Sequence, residues 1–310
     1  LTRLALKIDV DTLRGTREGV PTLVEMLRRH GLHATFLFSL GPDHTGRAIK
    51  RVFRPGFVGK VRRTSVVRHY GVRTLLYGTL LPGPDIGKRA SDVMQGVRDA
   101  GHETGIHCWD HIRWQDGVAS ADERWTHAEM QRACERYTEI FRESPRTHGA
   151  AGWQMNVHAL RLTQRLGFDY CSDGRGTHPY LPVFNAEPIR CPQFPTTLPT
   201  LDEMVGLDGV TEGNVAAHLL ERTRDLAGDQ VFTLHAELEG MRLSSQFEQL
   251  LLGWKAQGWT MVPVRGLYES VEPMALPRCS AGPGTVAGRT GTLMVQGDEF
   301  LGEVDLAQAA

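Results

Sequence analysis

No stretch of the 310-residue chain approaches the roughly 20 consecutive apolar residues that span a bilayer, so a transmembrane helix is not expected. Cysteine is scarce and unpatterned. Cys108, Cys134, Cys171, Cys191 and Cys279 form no CxxC pair, which argues against a zinc ribbon and a disulfide framework and fits a reducing compartment. No signal-peptide pattern precedes the first strand, and no internal repeat is visible. Net charge of either sign is nearly absent, −1 at pH 7, and 41% hydrophobic with 23% charged residues is an ordinary globular composition. At 34.4 kDa the expectation is one large α/β domain or two smaller ones, cytoplasmic and soluble or peripheral.

What is present is unevenly distributed. Between Gly41 and Ala90 lie eleven basic residues against Asp43 and Asp85, so this stretch carries about +9 and the remainder about −10. Elsewhere short apolar strands alternate with amphipathic helices. Strands are read near 4–9, 33–39, 102–107, 168–172, 230–235 and 259–263, and helices over 18–30, 86–100, 121–142, 156–166, 212–226 and 243–257. Gly31, Gly101, Gly167 and Gly258 follow four of these helices and suit their C-terminal caps. The alternation predicts a parallel sheet, and its length favours a barrel or distorted (β/α) barrel over an open sheet. The segment 41–84 is too long for a simple loop and reads as a functional insertion. The glycine-rich tail after Pro277, roughly 276–310, is expected to be loosely packed or disordered.

Two clusters carry chemistry. Asp9 and Asp11 end the first strand on one face, since successive strand residues point to opposite sides. Two carboxylates held side by side repel and imply a cation or a shared proton; a solvated strand end is the bland alternative. His107 and His111, four apart, fall on one side of a helical turn after a later strand. Joined to the aspartates they complete a two-histidine, one-aspartate set with open coordination positions, which suits catalysis. Zinc fits such a set, and cobalt, manganese or iron are alternatives.

These residues resemble the motifs of the polysaccharide deacetylase (NodB-homology) family. Asp9-Val10-Asp11 is similar to its first motif and His107-x-x-x-His111 to its second. Arg146-Thr-His-Gly-Ala-Ala-Gly-Trp153 resembles the third without the usual proline, Asp169 to Gly176 the fourth, and Phe232-Thr-Leu-His235-Ala-Glu237 the fifth. The resemblance implies a distorted barrel over roughly residues 1–275. It also implies Asp9 as base, Asp11, His107 and His111 as ligands of a divalent metal, and His235 as the acid that protonates a departing amine. Asp173 then orients His235 and Arg146 orients Asp9, or each is an ordinary ion-pair partner. Within the family, the runs around Ile8–Thr16, Gly105–His111, His148–Gln154, Ser172–Gly176 and Thr233–Gly240 resemble a deformylase branch. Its substrate is 4-deoxy-4-formamido-L-arabinose on undecaprenyl phosphate, and its product serves lipid A modification and polymyxin resistance.

In that light the insertion acquires a meaning. Lys50, Arg51, Arg54, Lys60, Arg62 and Arg63 interleave with Val52, Phe53, Phe57, Val58 and Val61, a pattern that suits an anionic membrane surface or the substrate's phosphodiester. The expected place of action is the inner face of the bacterial inner membrane, with no nucleic-acid partner. Two other functions share parts of the pattern: N-deacetylation of peptidoglycan or chitin-like sugars, and an inactive lipid- or sugar-binding module.

Overall fold

The computed structural model describes residues 2–48 and 72–301. Among the described residues eleven strands run in chain order: β1 Arg3–Val10, β2 Thr35–Ser39, β3 Glu103–Cys108, β4 Thr147–His148, β5 Tyr170–Cys171, β6 Leu181–Phe184, β7 Glu187–Pro188, β8 Gln230–His235, β9 Thr260–Val262, β10 Arg278–Gly284 and β11 Leu293–Glu299. The main sheet is parallel in the order β5-β4-β3-β2-β1-β8, with β9 also paired to the start of β1. Helices Val20–His30, Ser91–Asp99, Glu123–Phe141, Val157–Arg165, Val215–Thr223 and Ser244–Ala256 connect the strands.

An irregular extended segment fills the gap between β5 and β8. Phe194 N–H donates to the Cys171 carbonyl, Thr197 and Leu198 N–H groups donate to the Val231 carbonyl, and the Thr196 and Thr233 hydroxyls meet at 2.6 Å. Residues 191–198 are thus one stave of a distorted barrel. Pro192 and Pro195 have no N–H to give a ladder, which is why this stave is neither regular nor recognisable as a strand.

β1, which pairs with β2, β8 and β9, is buried on both faces. Leu4, Leu6, Ile8 and Val10 pack outward against the helices in the main apolar core. The opposite face begins with Ala5, which joins Tyr170, Phe194, Val231, Val264 and Leu267 in a separate plug inside the barrel. From that plug the same face continues through Lys7, Asp9 and Asp11, all buried. An apolar floor therefore rises through a buried cation to two carboxylates at the carboxyl end of the strand, the end at which barrel enzymes carry their sites.

The expected helices and strands are present within a few residues, with two differences. The helix expected over 86–100 is two, Ile86–Arg89 and Ser91–Asp99, broken at Ala90 (φ −137°). The tail is not loose over residues 278–299. β10 and β11 pair antiparallel, β10 also pairs with β6, and Arg175 exchanges backbone hydrogen bonds with Met294 and Gln296. Glycines at 282 and 284 give this stretch the composition of a linker, but the pairing supplies the order that composition does not. Residues 302–310 lie outside the described residues, as do Lys50, Arg51, Arg54, Lys60, Arg62 and Arg63 of the insertion. All five thiols are free. Among the described residues, no helix is long and apolar enough to cross a membrane.

Candidate active site

The ends of β1, β3 and β8 bring the five motif side chains Asp9, Asp11, His107, His111 and His235 together. Asp11 Oδ1 lies 3.3 Å from His107 Nε2 and 3.4 Å from His111 Nε2. His107 donates from Nδ1 to the Gly149 carbonyl at 2.6 Å, so in the neutral ring Nε2 is the bare nitrogen that faces Asp11. His111 is placed by helix His111–Gly117, whose N-cap Asp110 accepts from the Arg113 N–H and also bonds His44 Nδ1 at 2.6 Å.

This donor set fits a metal ion. Asp11 Oδ1 is buried and accepts no hydrogen bond, an arrangement that is costly unless positive charge occupies the space beside it. Burial by itself raises the Asp11 carboxyl, but the His111 and His107 imidazoles hold it well below the usual carboxylate range. Burial likewise disfavours charge on His107, yet Asp9 and Asp11 raise its pKa. The pocket as built attracts a cation. Ligand atoms about 2.0–2.1 Å from a tetrahedral ion stand about 3.4 Å apart, and both measured carboxylate–imidazole separations match that edge. Asp11, His107 and His111 can therefore hold a metal ion.

Asp9 sits beside this triad without joining it. Its Oδ2 accepts from Lys7 Nζ at 3.1 Å, and its Oδ1 is buried with no hydrogen-bond partner, 3.8 Å from His107 Nδ1. Across the β1–β8 ladder Asp9 pairs in register with His235. The His235 backbone N–H donates to Glu239 Oε2 at 2.8 Å, and its ring Nδ1 is buried without a partner.

Two expected site residues do not reach this centre. Arg146 is not beside Asp9: its guanidinium is largely exposed and forms a two-pronged pair with Asp169 at 2.8 and 2.5 Å. Asp173 does not touch His235. Its Oδ1 accepts from His148 Nδ1 (2.6 Å) and the Ala150 N–H (3.0 Å), and its Oδ2 from Gln193 Nε2 (2.9 Å). These bonds pin the 148–150 turn, and the carbonyl that turn presents, Gly149, is the one that orients His107. Asp173 thus acts on the site through a different histidine from the one expected.

Two further residues belong to the site. Glu237 accepts the Asp11 and Thr12 N–H groups and the Thr12 hydroxyl on one oxygen, bracing the loop that carries Asp11. Burial and the neighbouring Asp11 charge push the Glu237 carboxyl well up. A Cβ on Gly15 would fall 1.9 Å from that carboxylate, so the glycine after the aspartate pair is required by Glu237. Lys7 is the second, and its signal is plain in the sequence: it stands two before Asp9 on the same strand face.

The polysaccharide deacetylase family profile matches residues 4–171. A Shewanella sediminis protein named "Probable 4-deoxy-4-formamido-L-arabinose-phosphoundecaprenol deformylase ArnD" is 38% identical over 269 residues, 87% of each chain. A protein of the same name from Wigglesworthia glossinidia brevipalpis is 31% identical over 239 residues, 76% of this chain and 82% of its own. Among solved structures, a Mycobacterium smegmatis protein assigned as a polysaccharide deacetylase superposes with a TM-score of 0.61 at 17% identity, over 89% of this chain and 92% of its own. A peptidoglycan N-acetylglucosamine deacetylase superposes with a TM-score of 0.53 at 13% identity, over 87% and 89%. At those identities the structures speak for the barrel alone, whereas the family profile spans more than half of the chain and the first relative is 38% identical over 87% of it: the chain belongs to the polysaccharide deacetylase family.

Proposed function

We propose that this protein is a metal-dependent hydrolase that removes the formyl group from 4-deoxy-4-formamido-L-arabinose carried on undecaprenyl phosphate, releasing formate and the amino sugar. The observation that carries the reaction class is the bare, buried Asp11 Oδ1 facing His107 Nε2 and His111 Nε2, with Asp9 and His235 on one rung beside it. The substrate comes from the names of the two relatives, each of which shares most of its length with this chain.

Asp11, His107 and His111 would hold the divalent ion, with zinc favoured by two imidazoles and a carboxylate and cobalt or manganese as substitutes. When bound, such an ion supplies a Lewis acid for the amide oxygen and lowers the pKa of water. The remaining work falls to the chain. Asp9 takes a proton from the attacking water on Oδ1, the oxygen that no hydrogen bond occupies. His235, in register with Asp9 on the neighbouring strand, delivers a proton to the departing sugar nitrogen, without which the C–N bond of the tetrahedral adduct does not break productively.

The insertion over residues 41–84 is the segment we assign to the lipid-linked part of the substrate and the anionic membrane surface. Its described part ends in a turn where Leu80 is 81% and Leu81 39% exposed, apolar side chains that suit an interface between water and acyl chains. The direct test is mass spectrometry of the undecaprenyl-linked formamido sugar after incubation with metal-loaded protein. Loss of the formyl mass is expected. An unchanged substrate in the presence of bound metal overturns the assignment, and turnover of N-acetylated oligosaccharides in its place moves the substrate to the peptidoglycan or chitin-like class.

A further inference from the structure

Lys7 is fully buried, and its ammonium lies 3.1 Å from Asp9 Oδ2. A lysine is rarely placed out of water, because desolvating an ammonium costs several kcal/mol unless a partner anion and good geometry offset it. Its surroundings are built around it. The Trp153 ring lies 5.6 Å from Nζ, so the cation faces an aromatic surface on one side and a carboxylate on another. Gly149 leaves room for the stem, since a Cβ there would stand 3.0 Å from Lys7 Cε. Gly149 is also the residue whose carbonyl orients His107, so the passage for Lys7 and the support for a metal-ligand candidate share one residue.

We propose that Lys7 is the positioning residue for Asp9 in the amide hydrolysis, taking the part that the motif order assigned to Arg146. The inference rests on the reading of Asp9 as the base. The carboxylate has two oxygens and two rotational choices about its Cβ–Cγ bond. Lys7 binds Oδ2, and Oδ1 is thereby left bare toward the His107 side of the barrel mouth. Arg146 makes no such contact, being committed to Asp169 at the surface. A cation delivered from the strand itself, two residues before the base, needs no loop to place it: the period of the strand puts both side chains on one face.

Lys7→Met, Lys7→Gln and Lys7→Arg are compared with the wild type as full-length, zinc-loaded proteins, on the lipid-linked formamido sugar and on N-acetylated chitooligosaccharide. On whichever substrate the wild type hydrolyses, Lys7→Met is expected to lower kcat on the order of 100-fold with KM within about twofold, and Lys7→Arg to recover at least tenfold of the loss. Bound zinc, measured by atomic emission on the same samples, is expected to stay at the wild-type stoichiometry, because the three ligand candidates are untouched. A structural role alone predicts otherwise: zinc content and melting temperature fall together with kcat, and arginine rescues neither. Should Lys7→Met not fold, Lys7→Gln, which keeps a donor, carries the same comparison. A kcat within threefold of wild type in Lys7→Met, or in Lys7→Gln where the methionine variant does not fold, or a rate loss matched by zinc loss, overturns the role of Lys7 and leaves Asp9 as base intact. Wild-type protein that hydrolyses neither substrate overturns the reading of Asp9, and the role of Lys7 with it.

Discussion

Asp9 and His235 occupy one rung of the β1–β8 parallel ladder, with the Ala236 N–H donating to the Asp9 carbonyl at 3.0 Å just beyond it. The two groups to which we assign opposite proton-transfer duties are thus fixed by adjacent backbones, whose spacing is set by the sheet itself. Asp9→Asn is expected to lower turnover at least a thousandfold and His235→Asn on the order of 100-fold, both with metal retained. Steady-state rates and metal analysis of the same preparations check this. Near-wild-type turnover in Asp9→Asn removes the base assignment.

The support for His107 extends beyond its own contact. Gly149 holds its Nδ1, Asp173 holds the turn on which Gly149 sits, and Gln193 and His148 complete the web. Asp173→Ala leaves a buried histidine, an amide N–H and the Gln193 side chain without their acceptor, at about 1–3 kcal/mol for each stranded group. It is also expected to weaken metal binding about tenfold or more through the loosened His107 ring. Competition with a zinc chelator measures the second effect and urea unfolding the first. A variant that loses stability and keeps full metal affinity shows that the turn is held by other contacts.

Glu239 gives the protein a pH dependence of known sign. Burial pushes its carboxyl from about 4.5 up to about 7, only partly opposed by His235. Between those values the folded chain holds a proton that the unfolded chain has released. The stability tied to this group is therefore fully present below about pH 4.5 and is lost as pH rises through about 7, a change on the order of 3 kcal/mol at most. His102, which burial lowers to about 4, works in the opposite direction, since its contribution is lost as pH falls. The whole-protein profile mixes these two with the shifted Asp11, His107 and Glu237. The difference between wild type and Glu239→Gln isolates the first, because glutamine can still accept the His235 N–H on its carbonyl oxygen. Unfolding free energies at pH 5 and pH 8 should favour the variant at the higher pH, and a flat difference contradicts the shift.

Much of this was legible because β1 is so regular. Leu4, Leu6, Ile8 and Val10 on one face and Lys7, Asp9 and Asp11 on the other are a period-2 pattern whose polar face has no water to meet, which points to a site. The histidines were legible by spacing and order. Side-chain direction was not. Whether Arg146 turns toward Asp9 or toward Asp169 depends on how the chain leaves β4, a two-residue strand with no periodicity to read. The same holds for Asp173, whose acceptors are satisfied by residues from separate segments, His148, Ala150 and Gln193. The β10–β11 hairpin was hidden for another reason. Its order comes from β6 and Arg175, about a hundred residues away, and not from its own glycine-rich sequence.

Gly15 tests the bracing of the candidate metal pocket without touching a candidate ligand. It opens the irregular turn Gly15–Gly19 after the aspartate pair, and its N–H donates to the Thr12 hydroxyl, which in turn donates to Glu237 Oε1. A methyl group at this position would overlap Glu237 Oε1, the oxygen that also receives the Asp11 and Thr12 N–H groups. Since the glutamate is fully enclosed, it cannot swing into solvent to make room. Either the turn shifts or Glu237 gives up its three donors, and overpacking of this kind costs about 1–3 kcal/mol. Gly15→Ala is therefore expected to lower stability by that amount and to reduce metal affinity, because the carboxylate of Asp11 rides on the displaced loop. The double variant Gly15→Ala/Glu237→Gly, which removes the overlapping side chain, should recover less than strain relief alone predicts, since it restores space but leaves the Asp11 and Thr12 N–H groups without an acceptor. Calorimetry of the four proteins of that cycle, with and without zinc, separates the two effects; a Gly15→Ala variant with wild-type melting temperature shows that the loop accommodates the methyl group and that Glu237 does not fix it.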